Sequence, residues 1–158
     1  MVIYFFNNHT SKRMNYEIRE CLLVDADQIY ELNRSEMGYD YPREETRQKV
    51  KDILASEHDK IYVAELDGSV VGYVHANDYN LIYAPAMKNI MGIAVSNKYK
   101  RMGIGKELLA AVEAWAKADE AKGIRLVSGE TRKEAHMFYE RCGYTGGKYQ
   151  LNYKKYFE

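Results

Sequence analysis

The sequence predicts an α/β (α+β) fold in which the elements follow the order β-α-α-β-β-β-α-β-α-β. An apolar run at residues 90–95 is followed by a glycine turn and an amphipathic pattern, which indicates a buried strand leading into a helix. An Asp-Gly pair at 67–68 separates two alternating segments and predicts a tight hairpin. A further helical pattern near the carboxyl end follows a short apolar strand at 124–127. The 158 residues are enough for one domain with a sizeable core.

The amino-terminal part of the predicted domain consists of a strand and two helices. Residues 16–22 alternate as the strand, and Asp25 is expected to cap a helix over residues 26–33. Pro42 is followed by two acidic residues and predicts the start of a second helix over residues 43–55. Acidic side chains suit the positive end of a helix, so we interpret this pair as solvent-facing stabilisers.

The middle and the end of the chain supply the remaining strands. Residues 61–66 and 69–76 form the two arms of the hairpin, and an aromatic loop over residues 77–88 leads into the central strand. A helix ends at Arg141, before a glycine, and the alternation at residues 149–153 predicts a last strand.

The turn before the central helix has the chemistry of an anion site. It contains Lys100, Arg101, Gly103, Gly105 and Lys106. The first turn of a helix has unpaired N–H groups and the positive end of the macrodipole, and glycines let a ligand approach the backbone. We therefore expect phosphate binding here, the alternative being that the two glycines only make a tight connection.

Two common phosphate motifs are excluded by position. A P-loop needs a glycine where Lys100 stands and a Ser or Thr where Glu107 stands. A dinucleotide-binding turn needs a third glycine at the position of Leu108. The turn belongs to neither class.

Two segments resemble the signatures of the GNAT superfamily of N-acetyltransferases. Lys100-Arg101-Met102-Gly103-Ile104-Gly105 resembles the pyrophosphate loop Arg/Gln-x-x-Gly-x-Gly/Ala, with Lys100 as a departure that keeps the positive charge. The segment from Ala135 to Tyr144 resembles A-x-x-F-Y-x-x-x-G-F/Y. The resemblance covers roughly Tyr16 to the carboxyl end. It implies a mixed, mostly antiparallel twisted sheet of six to seven strands flanked by four helices, as a single domain over residues 14–158.

The resemblance also implies acetyl-CoA as cosubstrate, without a metal. The pantetheine arm would follow the central strand, the pyrophosphate would lie on the glycine loop, and further contacts would come from the second signature. The expected cofactor-binding residues are Ile93, Ala94, Val95, Lys100, Arg101, Met102, Gly103, Ile104, Gly105, Lys106, Arg132 and Phe138. Arg132 stands where many relatives have an asparagine, so its expected partner is a phosphate.

Tyr139 is the expected catalytic residue, because it occupies the place of a family tyrosine that protonates the leaving thiolate. The alternative is that Tyr139 only packs. The family's histone-modifying branch has a glutamate base on the central strand, but the matching position here is Asn89. We therefore expect a water relay to accept the proton of the amine, with His75 and Glu36 as alternatives.

We expect a primary amine as acceptor: a small amine, a polyamine, or an amino-terminal or lysyl group. Carboxylates beside tyrosines suit a cation through ion pairing and cation–π contact. The expected substrate-binding residues are Glu36, Tyr39, Asp40, Tyr79 and Tyr83. The alternative is that these tyrosines fill the core or form a homodimer surface.

The whole chain bounds the remaining possibilities. Basic and acidic side chains balance at 23 each, which gives no support to generic nucleic-acid binding. Cys21 and Cys142 form no disulfide framework and have no metal-site spacing, which is typical of a cytoplasmic protein. We expect no membrane association, and we interpret residues 1–13 as a peripheral extension, with Met14 as an alternative start.

A non-catalytic acyl-CoA sensor is the alternative function.

Overall fold

The computed structural model describes residues 15–158 and divides them into two compact units after Leu126. The extension at 1–13 and the alternative start at Met14 lie outside the described residues. The first unit contains strands β1 to β5 and helices α1 to α3, and the second contains helix α4. In chain order, the bounds are β1 Tyr16–Glu20, α1 Ala26–Met37, α2 Arg43–Leu54, β2 Asp59–Leu66, β3 Ser69–Leu81, β4 Ala84–Val95, α3 Ile104–Ala118, β5 Ile124–Leu126 and α4 Lys133–Arg141.

The sheet of the first unit has five strands in the order β1-β2-β3-β4-β5. The first four strands are antiparallel neighbours, and β5 pairs with β4 in parallel after the crossover through α3. The hairpin between β2 and β3 turns at Asp67 and Gly68, whose φ values of 49° and 78° are those of a primed turn. The predicted element order and the mixed sheet are confirmed for these strands.

A β-bulge interrupts β4 at Met91. Gly92 lies opposite His75 on β3, whereas Ile90 lies opposite Ala76, so Met91 has no partner of its own in the register. An extra residue changes which backbone groups of the strand face each neighbour. The bulge therefore decides which amides of β4 are free beyond it.

Helices cover both faces of this sheet. On one face, α1 and α2 contribute Ile29, Leu32 and Val50 to a core with Val63 and Tyr73. On the other face lies α3, whose apolar positions at helical spacing are at most 1% exposed. These positions are Ile104, Leu108, Leu109 and Val112.

Three expectations about the elements need correction. The segment at 77–88 is not a loop, since β3 runs to Leu81 and β4 begins at Ala84. Helix α1 continues past Asn33 to Met37 and ends at Gly38, whose φ of 73° suits a glycine cap. The predicted strand at 149–153 is absent, and the sheet has five strands instead of six to seven. Alternation alone does not make a strand, because a strand also needs a neighbour for its backbone hydrogen bonds.

None of the helices in residues 15–158 is both long and apolar enough to cross a membrane.

Candidate active site

Strand β4 has an open edge beyond the bulge. Strand β5 pairs with β4 only as far as the rung Ile90↔Leu126. From Met91 to Val95, β3 is the neighbour of β4 on one side, and no strand among the described residues pairs with its other edge. Unpaired backbone groups at such an edge can bind an extended ligand as a further strand would bind.

The register identifies which groups point to this edge. Ser96 N donates to Val71 O at 2.8 Å, which makes Ser96 and Val71 a hydrogen-bonded pair of the β3–β4 ladder. Hydrogen-bonded and non-hydrogen-bonded pairs alternate in antiparallel strands. The N–H and C=O groups of Ile93 and Val95 therefore point to the open edge. Those of Ala94 point to Tyr73 on β3, so the structure does not bring the Ala94 backbone to the edge.

The start of α3 provides unpaired amides a few residues later. The first intrahelical bond runs from Glu107 N to Gly103 O at 3.0 Å, so the amides of Ile104, Gly105 and Lys106 have no acceptor within the helix. Gly103 is exposed, has a φ of 87°, and makes no side-chain cap. These N–H groups and the helix dipole form a site that suits an anion.

Three cations surround this helix start. Lys100, Arg101 and Lys106 are all exposed, and Arg101 has a φ of 64°, which gives the turn a second left-handed residue beside Gly103. Met102 is held from β1, because Tyr16 Oη donates to its carbonyl oxygen at 3.4 Å. The predicted phosphate loop thus carries three exposed positive charges, and its Met102 carbonyl accepts a hydrogen bond from β1.

Helix α4 carries the expected catalytic tyrosine in the second unit. The Tyr139 ring is half-buried and contacts Phe138 at 5.3 Å and Tyr144 at 5.9 Å between ring centroids. Burial raises the pKa of Tyr139 above its usual value, although the charge of Arg132 partly opposes this. The phenol therefore keeps its proton at neutral pH, which is the state that a general acid needs.

The central strand supplies a carboxamide where the histone-modifying branch has a base. Asn89 Oδ1 accepts from Arg125 Nη1 at 2.6 Å, and Asn89 Nδ2 donates to Asn77 Oδ1 at 3.3 Å. A carboxamide does not accept a proton at neutral pH. Asn89 is therefore unsuited to act as a base, and its carboxamide bridges Arg125 and Asn77.

The two alternative bases lie in different surroundings. His75 Nε2 lies 2.8 Å from Asp59 Oδ1, and Ser56 Oγ donates to the other Asp59 oxygen at 2.7 Å. Glu36 Oε1 accepts from the Asn97 amide at 3.2 Å, which ties α1 to the turn before α3. His75 has the arrangement of an oriented imidazole, whereas one Glu36 oxygen is already used for structure.

The expected substrate-binding residues fall into two groups. Glu36, Tyr39 and Asp40 lie at the end of α1 and just after it, and Glu36 contacts the turn that follows β4. Tyr79 and Tyr83 lie at the other end of β4, where Tyr79 is opposite Met87. The two ends of this 12-residue strand are about 36 Å apart at the usual rise of roughly 3.3 Å per residue. The structure does not bring the five side chains around one small ligand.

One of the two cysteines is a buried thiol. Burial raises the pKa of Cys21 to about 12, so this thiol stays protonated and unreactive. No group of three or more His, Cys, Asp and Glu side chains is arranged to hold a metal ion in that part of the chain.

Sequence comparisons agree with both signatures. The family model described as "Acetyltransferase (GNAT) family" matches residues 26–144. The N-alpha-acetyltransferase of Sulfurisphaera tokodaii is 31% identical over 90% of this chain and 87% of that protein. The N-alpha-acetyltransferase of Sulfolobus acidocaldarius is 29% identical over 91% of this chain and 88% of that protein.

Solved structures share the fold. An aminoglycoside N-acetyltransferase in complex with CoA superimposes with a TM-score of 0.83 at 16% identity, covering 93% of this chain and 99% of that one. The family model spans most of the chain, and the open strand edge and the glycine turn lie within its match. The protein therefore belongs to the GNAT family of acetyltransferases and is an acyltransferase.

Proposed function

We propose that the protein transfers the acetyl group of acetyl-CoA to a primary amine by direct attack in a ternary complex. The observation that carries the proposal is the open edge of β4, which leads directly to the unpaired amides at the start of α3. A linear ligand with amide groups along its length and phosphates at one end matches both features in the same order. Family membership and relatives named for acetyl transfer to amines support the same reaction.

The residues present fit acetyl-CoA. The backbone groups of Ile93 and Val95 would bind the pantetheine amides and the thioester end, and the amides from Gly103 to Lys106 would bind the pyrophosphate. Lys100, Arg101 and Lys106 add charge at the same place. In the second unit, Arg132 and Phe138 are proposed to contact the cofactor, as the resemblance to the family implies.

Tyr139 is proposed to act as the general acid. The amine nitrogen forms a bond to the acetyl carbon, the carbon–sulfur bond breaks, and the phenol gives its proton to the departing sulfur. The raised pKa of Tyr139 keeps that proton available at neutral pH. No covalent enzyme intermediate is required.

The proton of the amine is proposed to leave through a water relay. Asn89 cannot take it, and a side chain that could receive it from water lies on the same face of the sheet. His75 is oriented by Asp59 and stands opposite Gly92, next to the bulge. It is the favoured end point of the relay, because Glu36 already accepts a backbone hydrogen bond.

A direct test combines calorimetric titration of acetyl-CoA with thiol release over a panel of amines. Binding with amine-dependent release of thiol is the expected result. Binding without release from any amine would instead favour an acyl-CoA sensor. Failure to bind would contradict the assignment of the glycine turn.

Gly103→Ala is expected to weaken acetyl-CoA binding about tenfold and to lower the free energy of unfolding by about 1 kcal/mol. A Cβ at a φ of 87° is strained, at about 1–2 kcal/mol for a left-handed residue, so the turn shifts away from the geometry that presents its amides. Titration calorimetry and urea denaturation would measure the two effects.

Gly146→Ala is the matched control, since Gly146 has open space around its Cβ position and no positive φ. It should change neither quantity. Unchanged acetyl-CoA affinity in a destabilised Gly103→Ala variant would show that the turn does not bind the cosubstrate.

A further inference from the structure

We propose that Arg125 binds an oxyanion carried by the acceptor amine, so that the preferred acceptor has a carboxylate, phosphate or phosphonate close to its amino group. This inference rests on the proposed function and names the acceptor class for the same site. It is carried by a cluster of Arg125, Asn89, Asn77 and Tyr79, which we call the arginine platform.

The guanidinium group of the platform is held in place but only partly used. Its Cζ lies 4.4 Å from the centroid of the Tyr79 ring, and Nη1 donates to Asn89 Oδ1 at 2.6 Å. Asn89 is itself held by Asn77. Within residues 15–158, Nη1 is the only guanidinium nitrogen of Arg125 with a hydrogen-bond acceptor. The remaining donors suit the two oxygens of a carboxylate or phosphonate.

The platform lies at the point where the open edge begins. The rung Asn89↔Arg125 directly precedes Ile90↔Leu126, which is the last rung of the β4–β5 pairing. One residue further is the bulge at Met91, followed by the free backbone groups of Ile93. Arg125 is therefore next to the edge where the proposed function places the thioester.

Polar side chains replace the apolar core along this part of the sheet face. The core beneath α1 includes Tyr73 on β3 and Ile61, which lies opposite His75, and the residues of β3 that follow on that face are His75, Asn77 and Tyr79. All three are polar or amphipathic and half-buried. A face of this kind suits a polar ligand better than an apolar one.

The charges around the platform favour an anionic partner. On this face of the sheet, Asp59 is already engaged by His75 and Ser56. Asp78 alternates to the opposite face, where it pairs with Lys88. In the described chain, no carboxylate forms an ion pair with Arg125. A polyamine or lysyl cation would be repelled by this guanidinium, whereas an oxyanion would complete its hydrogen bonds.

The position of the platform favours a short acceptor. The Arg125 guanidinium contacts Asn89 and Tyr79, and Asn89 lies two residues before the bulge at Met91, where the open edge begins. The inferred acceptor therefore has only a few carbon atoms between its nitrogen and its anionic group. β-Amino acids and aminoalkylphosphonates have this form, as does a peptide whose first residue is aspartate.

The test compares matched amines in the thiol-release assay. The pairs are β-alanine against propylamine, 2-aminoethylphosphonate against ethylamine, and the amidated tripeptide Asp-Ala-Ala against Asn-Ala-Ala. In each pair, wild type is expected to show at least about tenfold higher kcat/KM for the member with the acidic group than for its partner. This factor corresponds to one charge-assisted hydrogen-bonded pair. A preference within the first two pairs indicates a free small amine as acceptor. A preference within the peptide pair indicates an amino-terminal acceptor.

Arg125→Gln is expected to remove this preference by raising KM about 10- to 100-fold for the amines that carry an acidic group, while KM for the amines without one changes less than about twofold. Arg125→Lys should recover part of the preference, because lysine keeps the positive charge but lacks the planar pair of N–H donors. Arg47→Gln, at a half-buried arginine on α2, is the control and should have no effect. Acetyl-CoA affinity should be equal in all four proteins.

A second readout is calorimetric binding of β-alanine and 2-aminoethylphosphonate to the CoA-saturated protein. Binding that is lost in Arg125→Gln supports the inference even where turnover is slow. The inference is overturned if wild type prefers the amines that lack an acidic group, or if Arg125→Gln lowers kcat/KM equally for both members of a pair. Turnover of the amines that lack an acidic group, with no effect of Arg125→Gln, would overturn this inference alone, whereas absence of acetyl-CoA binding would overturn the proposed function.

Discussion

Replacement of Tyr139 by Phe is expected to lower kcat for acetyl transfer by about 100-fold, which is the usual size of a general acid contribution. The phenylalanine keeps the ring and its contacts with Phe138 and Tyr144 but has no proton to donate. Acetyl-CoA affinity should change less than about twofold, because the hydroxyl acts on the sulfur only as the bond breaks. Thiol release at saturating amine, together with titration of acetyl-CoA, would measure both effects.

Tyr144→Phe is the matched control for this prediction. Its ring packs edge-on against Tyr139, and the family signature accepts either Phe or Tyr at this place. Its kcat should stay within about threefold of wild type. Equal kcat values for wild type and Tyr139→Phe would assign a packing role to Tyr139 and leave protonation of the thiolate to solvent.

Lys88→Met is expected to lower the free energy of unfolding by about 2–3 kcal/mol, somewhat less than for a fully buried ion pair. Lys88 is 3% exposed, and its ammonium group pairs with Asp78 and Asp119 and lies 3.6 Å from the centroid of the Trp115 ring. The variant leaves two carboxylates without their cation, but both still reach solvent, which limits the penalty. Urea denaturation would measure the change.

The control for Lys88 is Lys60→Met at a surface pair with Glu20. Exposed pairs contribute at most about 1 kcal/mol, so this variant should be close to wild type. If the two methionine variants lost equal stability, burial of the Lys88 ion pairs would add nothing to the free energy of unfolding beyond what a surface pair contributes.

The effect of Lys88→Met should depend on pH. Burial alone would raise the pKa of Asp78, but hydrogen bonds from Lys88 and His58 outweigh it, so this pKa lies below its usual value. A depressed folded-state pKa stabilises the protein above the unfolded-state pKa of about 3.9, and the stability is lost as the pH falls through the folded-state value. The difference between wild type and Lys88→Met should therefore be full at pH 7 and shrink below about pH 4. A difference that stays constant down to pH 3 would contradict this origin.

Local patterns were sufficient for the elements that depend on neighbouring residues. The Asp-Gly turn, the proline start of α2 and the apolar stripe of α3 each reflect backbone or side-chain preferences within a few positions. The phosphate loop belongs to this group, because its glycines and cations are consecutive. Gly103 has a φ of 87°, a left-handed conformation that glycine adopts readily, and phosphate binding at this turn stays a prediction.

Local patterns failed where cross-strand contacts decide the structure. The segment at 77–88 is rich in turn formers, but Asp78 lies directly opposite Lys88 and binds it, which extends both strands. The segment at 149–153 has the alternation of a strand and no strand structure. The first case shows a partner overriding local preference, and the second shows local preference without a partner.

The sequence by itself determined the family and the order of the elements up to α4, and it supplied the prediction of a phosphate loop, because these depend on consecutive residues and on periodicity. Only the tertiary structure decided which backbone groups of β4 are free, since the bulge at Met91 and the last rung at Ile90↔Leu126 are properties of strand register. The same register placed Arg125 beside Asn89 and separated Glu36 from Tyr79. Strand pairing brings together side chains that are distant in sequence, and this pairing cannot be read from local patterns. The proposed acceptor site could therefore not be derived from the sequence.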